Sequence, residues 1–186
     1  MTFNKINYES EVILLLLKKE MHGREISKEL NTSLTRVQSI LNSLRELNIV
    51  DYKVEGKNHV YFIKKNLKSK TYILNAENYK LLVLLQKYSF LEEILKEVIL
   101  KCPEVMIILF GSYAKGNSKE NSDVDLYLET TNKLIKSKIE LINGKISVKM
   151  GKFDKQDLLV KEIISNHVII QGAEIFYERC KFFEET

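Results

Sequence analysis

The stretch LFGSYAKGNSKENSDVDLYLE, residues 109–129, interrupts the apolar pattern of the chain on either side of it. An apolar run stops at Gly111 and Ser112, and a polar loop follows. A buried strand that ends in such a turn brings free backbone N–H groups together, and glycine lets a ligand approach the backbone closely. The serine adds a hydroxyl donor. We therefore predict that this turn holds phosphate groups.

Two carboxylates stand at the other end of the polar loop. Asp123 and Asp125 head a second apolar run and are two residues apart, so on a strand they share one face. Carboxylates this close repel each other unless a cation lies between them. Mg²⁺ suits such a pair, because it binds one or two carboxylates together with phosphate oxygens. The pair is therefore predicted to bind a metal ion beside the phosphate turn.

Helices and strands alternate around this stretch. Apolar runs predict strands at residues 105–110 and 124–128. The later predicted elements are a helix at 134–142, a strand at 145–150, a helix at 155–164 and a short strand at 167–170. An Asn-Gly hairpin at 143–144 is an alternative to the first of these helices, although apolar residues at i, i+4 and i+7 favour a helix capped by Gly144. The expected fold class is α/β (α+β) with a small mixed sheet.

The spacing Gly-Ser, ten residues, Asp-x-Asp resembles the signature of the minimal nucleotidyltransferases of the DNA polymerase beta superfamily, over about residues 90–178. The resemblance implies that Gly111 and Ser112 hold the β- and γ-phosphates of a nucleoside triphosphate, with ATP as the first candidate. It also implies that Asp123 and Asp125 are catalytic and bind a Mg²⁺ that bridges the nucleotide. An acceptor hydroxyl would then attack the α-phosphorus in line, so that a nucleoside monophosphate is transferred and pyrophosphate is released.

The next predicted strand departs from the family pattern, which places a third carboxylate there. Its polar face shows Ser147 and Lys149, and neither is an acid. Lys149 stands near the expected place of the carboxylate, where a salt bridge with either aspartate would replace the metal. Asp154 is a possible substitute that reads more simply as a loop residue. Lys115 and Lys119 flank the turn, and we interpret both as solvated loop lysines rather than phosphate ligands.

The first third of the chain has the order helix, helix, helix, hairpin. The third helix is predicted to have one apolar stripe, formed by Leu34, Val37, Leu41 and Leu44. Its opposite face carries short polar or cationic side chains able to reach phosphates and base edges, namely Thr35, Arg36, Ser39 and Asn42. Two β-rich runs around the glycine-containing turn EGKN then predict the hairpin.

This order resembles the winged helix-turn-helix domains of prokaryotic transcription regulators, over residues 8–65. The resemblance implies that the helix at 33–47 enters the major groove of double-stranded DNA. The wing, with Lys53, Lys57 and His59, would lie along the backbone or the minor groove. The alternative is a three-helix module that binds protein.

Charge and composition fit a division of the chain into parts. The net charge is +4, and residues 1–70 carry 13 Lys and Arg against 8 Asp and Glu, which hints at a nucleic-acid partner for that part. We predict a winged-helix domain at 1–70, a helical connector at 71–101 and a nucleotidyltransferase-like domain at 102–186. The apolar runs are too short to span a bilayer, and Cys102 and Cys180 show no metal or disulfide pattern. We therefore expect a cytoplasmic protein without a membrane partner.

The sequence is compatible with three functions. The first is an active nucleotidyltransferase that modifies a protein or a small molecule and is directed by its DNA-binding domain. The second is a transcription regulator whose degenerate transferase domain senses nucleotide or only dimerises. The third, suggested by similarity to small nucleotidyltransferase antitoxins, modifies or masks a partner toxin and represses its own operon. A homodimer is expected under all three, because winged helices commonly read paired half-sites.

Overall fold

The computed structural model describes residues 6 to 184 and divides into two compact units. One unit contains the chain up to Tyr79 together with the segment from Phe183, and the other spans Lys80–Phe182. The predicted connector at 71–101 is therefore divided between the units. None of the helices within the described residues has the length and apolar composition needed to cross a bilayer. The mixed α/β fold class is confirmed.

The first unit has the predicted order of three helices and a hairpin, with one additional short strand. Its elements are α1 (Tyr8–Lys18), β1 (Met21–His22), α2 (Gly23–Glu29), α3 (Leu34–Glu46), β2 (Val50–Glu55), β3 (Asn58–Ile63) and the start of α4 (Leu67–Lys87). Strand β1 was not predicted, because two residues carry no periodicity. It pairs antiparallel with β3, so the sheet order is β1-β3-β2.

Local signals position helix α3. The Ser33 hydroxyl accepts a hydrogen bond from the backbone N–H of Arg36 at 3.2 Å, which caps the first turn. Val37, Leu41 and Leu44 are fully buried, so the predicted apolar stripe packs into the core of the first unit. The opposite face of the helix is consequently left toward solvent.

The second unit is a four-stranded sheet with helices. Besides the end of α4, its elements are α5 (Leu91–Lys101), β4 (Ile107–Leu109), α6 (Gly111–Ala114), β5 (Val124–Leu128), α7 (Lys133–Glu140), β6 (Ile146–Met150), α8 (Leu158–Ser165), β7 (Val168–Gln171) and α9 (Ala173–Arg179). The strand order is β6-β5-β4-β7. Strand β4 is antiparallel to both of its neighbours, whereas β5 and β6 are parallel.

The parallel pairing of β5 and β6 decides between the helix and the hairpin alternatives. Parallel neighbours need a crossover connection, which α7 provides, whereas an Asn-Gly hairpin would make them antiparallel. The predicted helix is therefore confirmed, but its predicted cap is wrong. Helix α7 ends at Glu140 with Leu141 at its C-cap, and Gly144 does not have the positive φ of a helix-capping glycine.

Candidate functional site

Gly111 occupies a position that only glycine fits. It follows β4, begins the short helix α6 and has a φ of +69°. A Cβ atom on this residue would collide with Oδ2 of Asp125 and would lie 3.1 Å from its Cγ. The left-handed backbone and the close approach each disfavour a side chain. The structure thus brings the predicted phosphate turn directly against the second predicted aspartate.

Ser112 lies in the first turn of α6 and is half-buried. Its carbonyl accepts a hydrogen bond from the backbone N–H of Asn117 at 3.1 Å, which folds the polar loop back over the turn. Among residues 6–184, no hydrogen bond of the Ser112 hydroxyl is formed. The hydroxyl is therefore free to serve a ligand.

Asp123 and Asp125 lie at the start of β5, as predicted from the period-two pattern. Asp123 immediately precedes the strand and is exposed, whereas Asp125 is half-buried between the fully buried Val124 and Leu126. Burial raises the pKa of the Asp125 carboxyl, and the charge of Asp123 raises it further. Ionisation of Asp125 is therefore unfavourable, mainly because the carboxyl is half-buried and in part because Asp123 is charged, and a bound cation would offset both effects.

The neighbouring strand β6 brings a hydroxyl and an amine toward this charge. Ser147 is the residue in register with Asp125, and a hydrogen bond from Ser147 lowers the pKa of that carboxyl. Lys149 is in register with Tyr127 instead, two residues farther along. Its charge also lowers the pKa of Asp125, but the side chain is exposed and forms no ion pair within the described part of the chain. The salt bridge considered for Lys149 is therefore not formed, and Ser147 holds the place opposite the second aspartate.

Glu162 is an acid near the site that the sequence did not single out. It lies on α8 and its charge raises the pKa of Asp125. Its Oε1 accepts a hydrogen bond from Lys115 Nζ at 2.7 Å, so Lys115 is paired rather than a solvated loop lysine. Lys119 is exposed and its backbone N–H donates to the Ser122 hydroxyl at 2.8 Å. No sequence pattern identifies Glu162 as a site residue, because α8 comes close to the site only when the chain folds.

The acidic groups fit a metal shared with a phosphate ligand and not a metal held by protein alone. In the range 6–184 there is no cluster of three or more His, Cys, Asp and Glu side chains able to hold a metal ion. The two aspartates of β5 remain, and Mg²⁺ commonly takes one or two carboxylates and completes its shell with water and phosphate oxygens. Asp123 and Asp125 are the residues that would hold it. Asp154 is an exposed loop residue that accepts a hydrogen bond from the N–H of Gln156.

In the first unit, two contacts set Arg36 apart from the other polar residues on the exposed face of α3. Thr35, Ser39 and Asn42 are exposed along the helix. Arg36 is also exposed, but its Nη1 donates to the Thr32 hydroxyl at 3.3 Å and its guanidinium lies 4.9 Å from the ring centroid of Tyr8. These two contacts hold Arg36 beside the start of α1, away from the centre of the polar face.

The wing contains one paired lysine and one unpaired lysine. Lys53 forms ion pairs with Glu20 at 2.5 Å and Glu55 at 3.2 Å, and these contacts raise the pKa of its amine. Lys57 follows the turn glycine, is exposed, and has no ion pair among the residues that the structure describes. His59 stacks on Tyr52 with ring centroids 3.8 Å apart, so it is a wing surface residue. Of the predicted wing contacts, Lys57 is the one left available for phosphate.

A groove of about 500 Å³ lies between the start of α2, helix α3 and the wing. Its lining includes Arg24, Lys28 and Gln38 together with Lys57. Sequence reasoning missed the first three, although Gln38 follows the apolar Leu34 by one helical turn and so lies at the edge of the polar face. Arg24 and Lys28 are exposed and, within residues 6–184, make no ion pair. The groove thus adds two cations to the charge that the wing offers.

Comparison with known families assigns both parts of the chain. Residues 92–181 match the family model for polymerase beta, nucleotidyltransferase. Residues 6–66 match the model for the sugar-specific transcriptional regulator TrmB. No curated protein matches the chain.

Three solved structures resemble parts of the chain at low identity. A mutant of ZitR from Lactococcus lactis matches at 14% identity and a TM-score of 0.38, over 50% of this chain and 64% of that one, which is less than two thirds of its length. The adhesin competence repressor AdcR from Streptococcus pyogenes matches at 20% identity and 0.36, over 54% and 81%. A toxin-antitoxin structure with AMP-PNP matches at 19% identity and 0.33, over 58% and 86%. At TM-scores below 0.5, these likenesses establish nothing about this chain.

The two family models cover separate segments, in the order predicted from the sequence, and the spacing of Gly111, Ser112, Asp123 and Asp125 lies inside the second segment. The chain is therefore a fusion of a TrmB-type winged-helix regulator domain with a nucleotidyltransferase domain of the polymerase beta family.

Proposed function

We propose that the protein is a DNA-binding nucleotidyltransferase that transfers a nucleoside monophosphate from a nucleoside triphosphate to a protein or small-molecule acceptor. The observation that carries this proposal is the contact between the glycine turn and the Asp125 carboxylate. A side chain at Gly111 would overlap that carboxylate, and Asp123 adds a second negative charge beside it. Phosphate groups bound by the turn would therefore meet the carboxylates at one point, where a shared cation is needed to neutralise them.

Each residue has a distinct role in this proposal. Backbone N–H groups at the turn and the Ser112 hydroxyl bind the β- and γ-phosphates, since they are small neutral donors that leave room for an anion. Asp123 and Asp125 would hold Mg²⁺, which would supply positive charge to neutralise the phosphates and polarise the α-phosphate. An acceptor hydroxyl attacks the α-phosphorus, the bond to the bridging oxygen breaks, and pyrophosphate leaves. The hydroxyl proton passes to solvent or to a carboxylate near the acceptor. ATP is the first donor to test.

Double-stranded DNA is the proposed partner of the winged-helix domain. The polar face of α3, with Thr35, Ser39 and Asn42, would read base edges in the major groove. Lys57 and the cations of the groove beside it would contact the phosphate backbone. A homodimer remains part of the proposal, because two copies would read paired half-sites.

Incorporation of label from α-labelled nucleoside triphosphates in the presence of Mg²⁺ tests the transferase activity. We expect wild-type protein, given cell extract as a source of acceptor, to form a labelled product. An Asp123→Asn/Asp125→Asn variant should form at least about 100-fold less, because the cation that stabilises the transition state is lost. A Glu174→Gln/Glu178→Gln variant removes two exposed charges from α9 and serves as the matched control. Labelling that survives in the aspartate variant would overturn the assigned roles.

A second candidate function is a transcription regulator whose transferase domain binds nucleotide without turning it over. It is favoured by β6, where Ser147 and Lys149 stand on the face that carries a third carboxylate in active relatives. This function predicts that wild-type protein binds Mg²⁺-ATP, that the aspartate variant does not, and that no label is incorporated. DNA affinity measured with and without nucleotide should then change, whereas a transferase needs no such coupling.

A further inference from the structure

A half-open cavity of about 350 Å³ lies beside the loop that joins α6 to β5. One wall consists of three aromatic rings. Tyr113 is buried and meets Tyr88 and Phe90 edge to face, with ring centroids 5.0 Å and 5.9 Å apart. Phe90 remains 47% exposed, although it is a large apolar ring at the start of α5. The cavity therefore presents an aromatic surface on which a planar group can stack.

The rim of the cavity is polar, and its charged residues are two lysines and Glu120. Lys119 and Lys145 both line it and are exposed. Lys145 Nζ donates to the carbonyl of Glu120 at 2.9 Å, and Lys119 forms no ion pair with residues 6–184. Ser118 lies at the same rim and forms a hydrogen bond with the Tyr88 hydroxyl. Hydroxyl and ammonium donors thus stand beside the aromatic wall, together with one carboxylate.

The cavity adjoins the carboxylate end of β5. The backbone N–H of Val124 donates to the carbonyl of Lys145 at 2.8 Å, so this lysine stands beside Asp123 across the two strands. The charge of Asp123 also reaches Tyr113, where it adds to the effects of burial and of Tyr88 in raising the pKa of the ring hydroxyl. A molecule in the cavity would therefore have one end close to the proposed metal site.

We propose that this cavity binds the base of a nucleotide unit, with the base stacked on Phe90 and Tyr88 and a phosphate of the same unit on Lys119 or Lys145. Aromatic faces flanked by cations recognise nucleotides in this manner, and small-ligand sites begin at about 300 Å³. The inference rests on the proposed nucleotidyl transfer, which gives the cavity its function. Its test measures ligand binding and does not require the transfer to occur. Two sources share the chemistry: the donor triphosphate and an acceptor nucleotide or RNA end.

Equilibrium binding by calorimetry tests the proposal. The ligands are AMP, Mg²⁺-ATP, a five-nucleotide oligoadenylate RNA and Mg²⁺-tripolyphosphate, which has no base. We expect Phe90→Ala to weaken binding of at least one base-containing ligand roughly 10-fold, because a stacking surface is lost. Binding of tripolyphosphate should be unchanged. Leu100→Ala is the matched control, since it removes an exposed apolar side chain from the same helix, 71% exposed and outside the cavity.

The ligand that responds identifies the source. A loss confined to Mg²⁺-ATP assigns the cavity to the donor base, and a loss confined to AMP or the RNA assigns it to an acceptor nucleotide. Lys145→Ala should weaken the same ligand, whereas Lys96→Ala on the exposed side of α5 should not. Equal binding of every ligand by wild type and Phe90→Ala, or no binding of any base-containing ligand by wild type, overturns the inference. Failure of the transferase site appears separately, as tripolyphosphate binding that is indifferent to Asp123→Asn/Asp125→Asn.

Discussion

The start of β5 and the wing of the first unit differ in whether their charged side chains are paired with opposite charges. At β5, Asp123 and Asp125 lie close together, and among residues 6–184 neither forms an ion pair. The pKa of Asp125 is raised, first by burial and then by the charge of Asp123. In the wing, Lys53 is paired with two carboxylates, so most of its charge is balanced within the protein. Lys57, on the same hairpin, has no ion pair within the described chain.

This difference shows where a ligand is expected to supply the missing charge. Exposed ion pairs such as that of Lys53 contribute little to stability and leave little charge for a partner. The half-buried Asp125 carboxylate costs the folded protein some stability that a bound cation would offset, whereas the exposed Lys57 amine is solvated and available to a phosphate. The comparison therefore separates residues that maintain the surface from residues that are available for binding.

The largest expected effect comes from removing the close approach of the glycine turn to Asp125. Gly111→Ala should destabilise the second unit by roughly 2–5 kcal/mol, because a left-handed alanine is strained and its methyl group overlaps the carboxylate. Denaturant unfolding measures the loss.

The control for this prediction is another glycine with a positive φ. Gly116→Ala carries the same backbone strain at φ +72°, but its Cβ would meet only the flexible end of Lys87 at 3.5 Å. It should cost about 1–2 kcal/mol. In an Asp125→Ala background, Gly111→Ala should cost no more than this control. An equal cost with and without the carboxylate would show that the two residues do not meet.

A carboxylate added to β6 should increase the affinity of the site at β5 for a divalent cation. Ser147 is in register with Asp125, so Ser147→Asp places a third acid opposite the existing pair. We expect Mn²⁺, used as a probe for Mg²⁺, to bind roughly 10-fold more tightly, because affinity for hard cations increases with the number of charged ligands. Titration followed by electron paramagnetic resonance measures this affinity. Lys149→Asp, two residues farther along, should produce a smaller gain when it is compared with Lys149→Asn, which also lacks the lysine charge. The reverse order would contradict the register.

A smaller effect is expected on DNA binding, where substitutions of the two wing lysines should have different consequences. Lys57→Ala should weaken binding of the protein's promoter DNA several-fold and lower the slope of log affinity against log salt by about 1, as expected for one lost phosphate contact. Lys53→Ala should change both quantities less, because that amine is already paired. Fluorescence anisotropy over a range of salt concentrations provides the measurement. A larger effect for Lys53 than for Lys57 would contradict the distinction between paired and unpaired cations.

The smallest expected effect is a pH-dependent gain in stability from Asp125→Asn. The pKa of Asp125 is raised above its ordinary value by burial and by Asp123, so ionising this group costs the folded state more than the unfolded state. The associated stability is present in full below the ordinary carboxyl pKa and is lost as the pH rises through the folded value. At pH 7 with a chelator, Asp125→Asn should therefore melt at a higher temperature than wild type, and the difference should vanish in acid.

The coupling to Asp123 provides the internal check on this prediction. In an Asp123→Asn background one of the two causes of the raised pKa is absent, so Asp125→Asn should stabilise the protein less. Thermal melts of the four proteins at several pH values give the comparison. A gain that is identical in both backgrounds would show that the two carboxylates do not interact.

The proximity of the candidate-site residues was largely predictable because they are close along the chain. A strand, a Gly-Ser turn and a second strand place Gly111 near Asp123 and Asp125 by connectivity alone, and period-two alternation puts both acids on one face. What faces Asp125 on β6 depends on register, which packing determines. A shift of two residues separates the expected Lys149 from the observed Ser147.

The ion pairs of the structure could not be predicted from the sequence. Lys53 pairs with Glu20, and Lys115 with Glu162, and both pairs join residues distant along the chain. Exposed pairs leave no periodicity or composition signal, since either partner would be equally acceptable as a solvated charge. The contact between Arg36 and Tyr8 could not be predicted for the same reason, since Tyr8 belongs to a different helix.

The position of β4 in the sheet has a consequence for the order in which the protein forms. This strand leads into Gly111 and lies between β5 and β7, and β7 consists of residues 168–171. During synthesis β4 therefore lacks one neighbour until residues 168–171 have been made. Until then it is an open edge made of Ile107, Ile108 and Leu109, all fully buried in the finished fold. The winged-helix sheet is complete at Ile63. A nascent chain can thus form the sheet of its winged-helix unit well before the sheet of the second unit closes, and interruption in that interval would expose an aggregation-prone edge.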